Sequence, residues 1–349
     1  MISTKILLTG ATGYIGGSIL TQLLESEHGF SASNIFVLVR GEDKAKALAT
    51  KGVNPILFNS LDDFEVIKKA ASEHDVIIHT ASGFHTESAK ALIIGLGERN
   101  IATGKAVHYF HTSGTSNLGD QPISGTYHES RTFSDKENIY TYLKAREALQ
   151  PYPQRTTDIA VVETGLSAGV PTTIIMSPTI YGLGSGDFNR LSIQGPIAMR
   201  AAIRMGQAMV IGEGKGIWDY VHVQDLVKLY ELLLTKVING EAVPTGEAGI
   251  LFSGTGRFSW AEMARGIASA LVKVGAIENS EVKSVSIVEA AESLLGDPAA
   301  TLLAELGLAS NSRTSSDIAH ELGWREEKTE EDFKKSFSEE AKLVVETLK

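Results

Sequence analysis

Short apolar runs alternate with amphipathic stretches through the first half of the chain. Taken together, six of these runs are rich in Val, Ile and Leu on consecutive positions, as in strands that are buried on both faces. The predicted strands are Lys5–Thr9, Ile35–Val39, Pro55–Phe58, Val76–His79, Val107–His111 and Thr172–Met176. Helical spacing is seen between them, for example over Ile15–Glu25 and Phe64–Ser72. This alternation predicts an α/β fold with a doubly wound parallel sheet.

The pattern changes after a loop marked by Gly182, Gly184 and Gly186, and the C-terminal part is more charged and mostly helical. The elements predicted there are helices at Pro196–Met205, Val223–Leu234 and Glu330–Leu348 and a strand-like run at Trp218–Val223. No repeat or linker separates the two parts. We therefore expect a sheet domain (1–186 and 218–250) interleaved with a smaller, mostly helical domain (187–217 and 251–349).

A glycine-rich turn joins the first predicted strand to the first predicted helix. Its glycines give the backbone a tight turn and let it approach a ligand closely. The helix N-terminus then presents free N–H groups and its positive dipole end to a pyrophosphate. The turn therefore predicts a dinucleotide site in a Rossmann-type fold. The residues expected to contact the dinucleotide here are Gly10, Thr12, Gly13, Tyr14, Ile15 and Gly16.

The spacing of these glycines, three residues apart, resembles that of the extended short-chain dehydrogenase/reductase superfamily, which includes epimerases, dehydratases and ketone reductases. Further matches follow in the family's order. They are His79-Thr80-Ala81-Ser82, Ser177-Pro178-Thr179-Ile180-Tyr181-Gly182, Val210–Val223 with Asp225, Asn311-Ser312-Arg313 and Leu322-Gly323-Trp324. The resemblance implies cofactor contacts at Thr80, Ala81, Pro178 and Ile180.

The end of the second predicted strand carries Arg40, near the place where such folds distinguish NAD from NADP. A guanidinium can bind a ribose 2′-phosphate through two parallel hydrogen bonds, and Lys44 adds a second positive charge nearby. We therefore expect NADP(H) rather than NAD, although a solvated surface arginine would fit the same pattern. The family often has an adenine-contacting Asp after the third strand, where this chain has Ser60 and Leu61.

The resemblance also implies a Ser or Thr after the fifth strand and a Tyr-x-x-x-Lys pair, in which the Tyr transfers a proton. Tyr140 and Lys144 have this spacing, which places both on one face of a helix. Ser113 precedes Tyr140 by about the family's separation. The expected catalytic residues are therefore Ser113, Tyr140 and Lys144.

Two departures from the family pattern leave this assignment open. Counting back from Gly119-Asp120, the family's hydroxyl position falls on Gly114, and Ser113 and Thr115 flank it. Pro151 and Pro153 also cut the helix after Lys144, because proline interrupts helical hydrogen bonding. We expect the helix to resume near Asp158–Leu166. The alternative is that Tyr152 or Arg155 enters the site instead.

An aromatic residue, Trp218, stands where nucleotide-sugar members of the family carry a phosphate-binding Arg. This change disfavours a nucleotide-sugar substrate and favours an apolar or ring-shaped one, unless Trp218 only packs between domains. The other residues expected at the substrate are Phe84, Thr115 and Tyr181, with His85 and Phe188 as further walls.

Composition and charge restrict the chemistry and the partners. The chain has 349 residues, no cysteine and a net charge of −10, so we expect no thiol chemistry, no nucleic acid and no membrane partner. The histidines show no metal-binding spacing, and no metal is expected. The N-terminal residues do not resemble a signal peptide, which predicts a cytoplasmic protein. The resemblance makes a homodimer an open expectation.

These observations predict an NADP-dependent oxidoreductase that transfers a hydride between the cofactor and a ketone, aldehyde or alcohol. Two other functions stay open. One is an epimerase or dehydratase that regenerates its cofactor within each turnover. The other is a non-enzymatic sensor that binds NADP(H) to control a partner protein.

Overall fold

The computed structural model describes residues 4–348. Numbered in chain order, its strands are β1 (Ile6–Thr9), β2 (Ile35–Val39), β3 (Asn54–Leu57), β4 (Val76–His79), β5 (His108–Gly114), β6 (Phe133–Ser134), β7 (Thr172–Ser177), β8 (Thr179–Tyr181), β9 (Ala208–Ile211), β10 (Ile217–His222), β11 (Ile250–Phe252), β12 (Gly256–Ser259), β13 (Val282–Val285) and β14 (Thr314–Ser315). The helices are α1 (Tyr14–Glu25), α2 (Glu42–Ala49), α3 (Phe64–Ser72), α4 (Thr86–Thr103), α5 (Ile139–Leu149), α6 (Pro153–Ala168), α7 (Gln194–Met205), α8 (Val223–Ile238), α9 (Trp260–Lys273), α10 (Ile287–Ala290), α11 (Thr301–Leu308), α12 (Asp317–Glu321) and α13 (Glu330–Thr347).

A seven-stranded sheet in the order β11-β7-β5-β4-β1-β2-β3 forms the centre of the described chain. All neighbouring strands in it run parallel, which confirms the predicted doubly wound α/β fold. All six predicted strands lie in this sheet. Its seventh strand, β11, is only three residues long and was not predicted from the pattern.

The two faces of the sheet are buried against different helices. Leu8 and Ile78 pack on the side covered by α1 and α8, whereas Leu7 and Ile77 pack on the side covered by α3, α4 and α6. Successive side chains of a strand point to opposite faces, so a strand covered on both sides needs consecutive apolar residues. This explains why unbroken apolar runs located the strands correctly.

The prolines after α5 separate two helices. α5 ends at Leu149, and α6 begins at Pro153, earlier than the predicted resumption near Asp158. Proline fits the first position of a helix because its missing N–H would have no partner there. Pro153 therefore begins the second helix, with Tyr152 as its N-cap residue.

A separate apolar cluster holds the C-terminal elements together. It joins α7, α9 and α13 to the small sheet of β8, β10 and β12 through residues such as Met199, Trp260 and Phe337. The expected domain boundary between residues 250 and 251 falls inside β11, and the division into two domains stays a prediction. Among residues 4–348, no helix has the length and apolar character needed to cross a membrane.

Candidate active site

The turn between β1 and α1 has the geometry of an anion cradle. Gly10 has a φ of 77°, and a side chain there would meet Thr80, with the Cβ 2.6 Å from its Oγ1. A Cβ on Gly16 would lie 2.3 Å from the carbonyl oxygen of Gly10. Helix α1 has Gly13 as its N-cap, no side-chain cap and no acidic residue in its first turn. Its N-terminus thus suits the pyrophosphate of a dinucleotide.

Neighbouring loops hold this turn in place. The Thr80 hydroxyl donates to the carbonyl oxygen of Thr9 at 2.7 Å, which brings Thr80 and Ala81 beside the turn. The Tyr14 hydroxyl donates to the carbonyl oxygen of Gly182 at 2.6 Å and ties α1 to the loop after β8. Of the remaining expected contacts, Thr12 lies in the turn, Ile15 in the first turn of α1, Pro178 between β7 and β8, and Ile180 within β8.

The residues expected to select the cofactor lie directly after β2 and β3. Arg40 is exposed directly after β2 and has no ion pair within residues 4–348. Ser60 follows β3, and its backbone N–H donates to Asp63 at 3.3 Å, so the carboxylate organises the loop. Leu61 is half-buried in that loop. A free guanidinium is thus available beside the predicted adenosine end.

The structure does not bring Ser113, Tyr140 and Lys144 together. The Ser113 hydroxyl donates to Asp158 at 2.6 Å, whereas Tyr140 and Lys144 donate to Glu163 at 2.9 and 3.1 Å. Both carboxylates belong to α6, five residues apart, which places them about 140° apart around the helix axis. Asp158 is fully buried against the sheet, whereas Glu163 is exposed. Tyr140 and Lys144, both on α5, therefore contact the exposed side of α6, away from Ser113.

Tyr152, the sequence-derived alternative, lies at the carboxyl end of β5. Its hydroxyl donates to the Ser116 hydroxyl at 3.1 Å, and Ser116 donates to the Gln154 side-chain oxygen at 2.7 Å. The Phe84 ring, in the loop after β4, meets the Tyr152 ring edge-on with centroids 6.0 Å apart. Because the sheet is parallel, these loops share one edge with the glycine turn after β1.

A second layer of polar groups supports this arrangement. Asn117 and Ser113 both donate to Oδ2 of Asp158, at 2.6 Å each. Burial raises the pKa of Asp158 to about 8, and the same burial holds the pKa of His111 well below its usual range. The His111 Nε2 lies 3.5 Å from Oδ1 of Asp158. Both shifts favour a neutral pair, a carboxylic acid beside a neutral imidazole, at neutral pH.

On α6, the positively charged side chain closest to Tyr152 is that of Arg155. Its guanidinium donates to the carbonyl oxygens of Asn117 and Gln150 and lies 5.7 Å from the centre of the Tyr152 ring. Arg155 is fully buried. The residue four positions after Tyr152 is Thr156, so the usual lysine is absent from that helix face.

Burial raises the pKa of Tyr152, and this is the largest influence on the hydroxyl. The hydrogen bond with Ser116 and the charge of Arg155 both oppose that rise. Tyr152 is consequently protonated at neutral pH, which suits a proton donor better than a base.

The expected substrate residues differ in exposure. Phe84 is 46% exposed, whereas Thr115, Tyr181 and Trp218 are buried. The Trp218 indole N–H donates to the Ser310 hydroxyl at 2.9 Å, and its ring packs 5.2 Å from that of Trp260. Among these four residues, Phe84 therefore offers the exposed aromatic surface.

Four polar residues of the site were not among the candidates derived from the sequence: Ser116, Asn117, Gln154 and Asp158. The one available signal was the Pro-x-Pro break, because a helix that begins at Pro153 places Tyr152 and Gln154 at its N-terminal end. Their contacts with the segment after β5 depend on tertiary packing and have no local sequence signature.

Comparison with known proteins agrees with this architecture. The model of the NAD dependent epimerase/dehydratase family matches residues 6–246. The oxidase ucsJ of Acremonium sp is 29% identical over 304 residues, covering 83% of this chain and 85% of that protein. UDP-N-acetyl-alpha-D-glucosaminuronate decarboxylase of Bacillus cytotoxicus is 24% identical over 256 residues, covering 69% and 74%. The NAD-bound structure of DesIV, a dTDP-glucose 4,6-dehydratase from Streptomyces venezuelae, has a TM-score of 0.67 at 16% identity and covers 98% of this chain and 97% of that chain.

Proposed function

The chain belongs to the NAD dependent epimerase/dehydratase family, and from this premise we propose that it is an NADP(H)-dependent reductase of a ketone or aldehyde. The observation that carries the proposal is the hydrogen bond of Tyr152 with Ser116 at the carboxyl end of β5. It supplies a protonated hydroxyl at the edge of the sheet that carries the dinucleotide turn. Similarity to an oxidase supports redox chemistry in this branch of the family.

The dinucleotide would be held by the turn of Gly10, Gly13 and Gly16, with Arg40 at its 2′-phosphate. When bound, it supplies or accepts the hydride. Thr80 and Ala81 border the same turn from the end of β4. We assign no other chemistry to these residues, since none of them carries a group that transfers a proton between pH 5 and 9.

Tyr152 donates the proton that a reduced carbonyl oxygen requires. Its raised pKa and the missing lysine both favour the phenol over the phenolate, so the reductive direction suits this site. Ser116 accepts the hydroxyl proton of Tyr152 in this structure, so the phenol must turn from Ser116 to the substrate oxygen before it transfers that proton. The neutral pair of Asp158 and His111 beneath adds no net charge that would disturb the phenol.

Exchanging the two candidate tyrosines tests the proposal. The probes are para-nitrobenzaldehyde and phenanthrenequinone, with NADPH consumption followed by nicotinamide absorbance. Tyr152→Phe removes the proton donor and is expected to lower kcat about 100- to 10,000-fold while the Kd for NADPH stays unchanged. Tyr140→Phe, the matched control on α5, is expected to stay within about twofold of wild type.

Three results would contradict the proposal. A large loss in Tyr140→Phe with normal turnover in Tyr152→Phe would restore the first assignment. Product formation without net NADPH consumption would indicate an epimerase or dehydratase. Tight NADPH binding without turnover of any carbonyl would favour the sensor function. The cytoplasmic location and the homodimer stay predictions.

A further inference from the structure

Gly114, at the end of β5, has no side chain, and the side chain of Gln154 fills the space beside it. A Cβ built on Gly114 would lie 3.1 Å from Nε2 and 3.2 Å from Oε1 of Gln154. A Cβ on Gly83, in the loop after β4, would lie 3.2 Å from the same Nε2. The carboxamide is therefore lodged between two backbones that carry no side chains.

The hydrogen bond with Ser116 determines how the carboxamide is oriented. The Ser116 hydroxyl accepts from Tyr152 and donates to Oε1 of Gln154 at 2.7 Å. Oε1 is thus used as an acceptor, and the amide Nε2 must point toward the glycines. Within residues 4–348, this Nε2 donates to no protein group, and it is not among the polar atoms sealed from solvent.

We propose that Gln154 binds the carbonyl oxygen of the substrate through Nε2, in place of the hydroxyl that Gly114 lacks. This inference rests on the proposed function, because it requires a carbonyl oxygen beside Tyr152. Once the Tyr152 hydroxyl turns from Ser116 to that oxygen, two donors converge on it: the phenol, which transfers its proton, and the amide of Gln154, which does not. A fixed neutral donor stabilises the charge that develops on the oxygen during reduction.

The arrangement also couples any side chain introduced at Gly114 to the position of the Gln154 carboxamide. Its backbone is extended, with φ −138° and ψ 148°, which any residue adopts. A serine at this position would therefore require the Gln154 carboxamide to shift, but would meet no backbone strain. Removing the Gln154 side chain should create the room that a serine needs.

A double-mutant cycle tests this idea, using the same two carbonyl probes with NADPH. Gln154→Ala is expected to lower kcat/KM about 100-fold or more, the usual effect of losing one oxyanion donor. Gly114→Ser alone should also lose activity, because it displaces the carboxamide. The double variant G114S/Q154A should recover at least about tenfold over Gln154→Ala, since its serine supplies a hydroxyl donor. Gln224→Ala, at an exposed position of α8, is the control for loss of a glutamine and should match wild type.

A second variant covers the case in which Gln154→Ala does not fold. Gln154→Glu keeps an acceptor for Ser116 and the length of the side chain but removes the donor, so it should lose activity as well. The Kd for NADPH should stay within about threefold of wild type in every folded variant, because none of the changes touches the dinucleotide turn.

The outcomes separate this inference from the proposed function. Normal kcat/KM in Gln154→Ala or Gln154→Glu, or a double variant no better than Gln154→Ala, overturns the role of Gln154 while leaving the reductase intact. If the wild-type protein consumes no NADPH with either probe, the proposed function fails first and this inference fails with it.

Discussion

At the scale of single residues, we propose that cofactor choice depends on the charge of Arg40. Its guanidinium has no ion pair within the described chain, so it is free to bind a phosphate. Arg40→Ala is expected to weaken NADPH binding about 10- to 100-fold, the usual worth of a charge-assisted hydrogen bond, and to leave NADH binding unchanged. Calorimetric titration with each dinucleotide measures both constants.

Arg265→Ala is the control for this substitution, because it removes the same charge from an exposed position on α9. It should bind both dinucleotides as the wild type does. Equal losses for NADPH and NADH in Arg40→Ala would point to a general structural role, and a wild-type preference for NADH would contradict the choice of NADP(H).

At the scale of secondary-structure elements, the joint between β1 and α1 depends on a close approach of backbones. Gly16 lies in the first turn of α1, where an added Cβ would come 2.3 Å from the Gly10 carbonyl oxygen. Gly16→Ala must therefore shift the helix away from the turn. We expect it to weaken NADPH binding at least about tenfold, as judged by titration.

Gly307→Ala provides a matched control within α11, because nothing lies within 4 Å of the Cβ it would add. That substitution should leave NADPH binding unchanged and raise stability slightly, since alanine favours a helix by about 0.5–1 kcal/mol over glycine. Normal NADPH affinity in Gly16→Ala would show that the turn tolerates a wider spacing and would weaken its assignment as the pyrophosphate site.

The secondary-structure elements also show which parts of the fold and of the candidate site can be predicted from the sequence. Consecutive apolar residues located the strands, because burial on both faces leaves a pattern within each strand. The Tyr140–Lys144 spacing matched a motif. In the structure these residues belong to α5, a helix separate from α6, and they contact Glu163 on the exposed side of α6. The contacts of Tyr152, Ser116 and Gln154 join distant segments, and a local pattern does not encode them.

At the scale of the whole molecule, a buried carboxyl group links the C-terminal helix to the cofactor side. Oε1 of Glu340, on α13, accepts a hydrogen bond from the backbone N–H of Gly182 at 2.8 Å. The carbonyl oxygen of the same Gly182 accepts from Tyr14 at the start of α1. Glu340 thus connects the last helix of the chain with the dinucleotide turn through a single loop residue.

The burial of Glu340 makes stability depend on pH, because it outweighs the hydrogen bond from Gly182, which lowers the pKa. Burial raises the pKa of Glu340 from 4.5 to about 8, so the folded state retains a proton that the unfolded state releases. The penalty is absent below about pH 4.5 and grows as the pH rises toward 8, by at most about 1.4 kcal/mol per pH unit. Glu340→Gln cannot ionise, so its free energy of unfolding should fall less steeply than that of wild type between pH 5 and 8 in urea titrations.

Asp158 contributes a similar slope to both proteins and cancels in the difference. Glu331→Gln, at an exposed position of the same helix, should keep the wild-type slope, and equal slopes in wild type and Glu340→Gln would show that Glu340 is ionised in the folded protein.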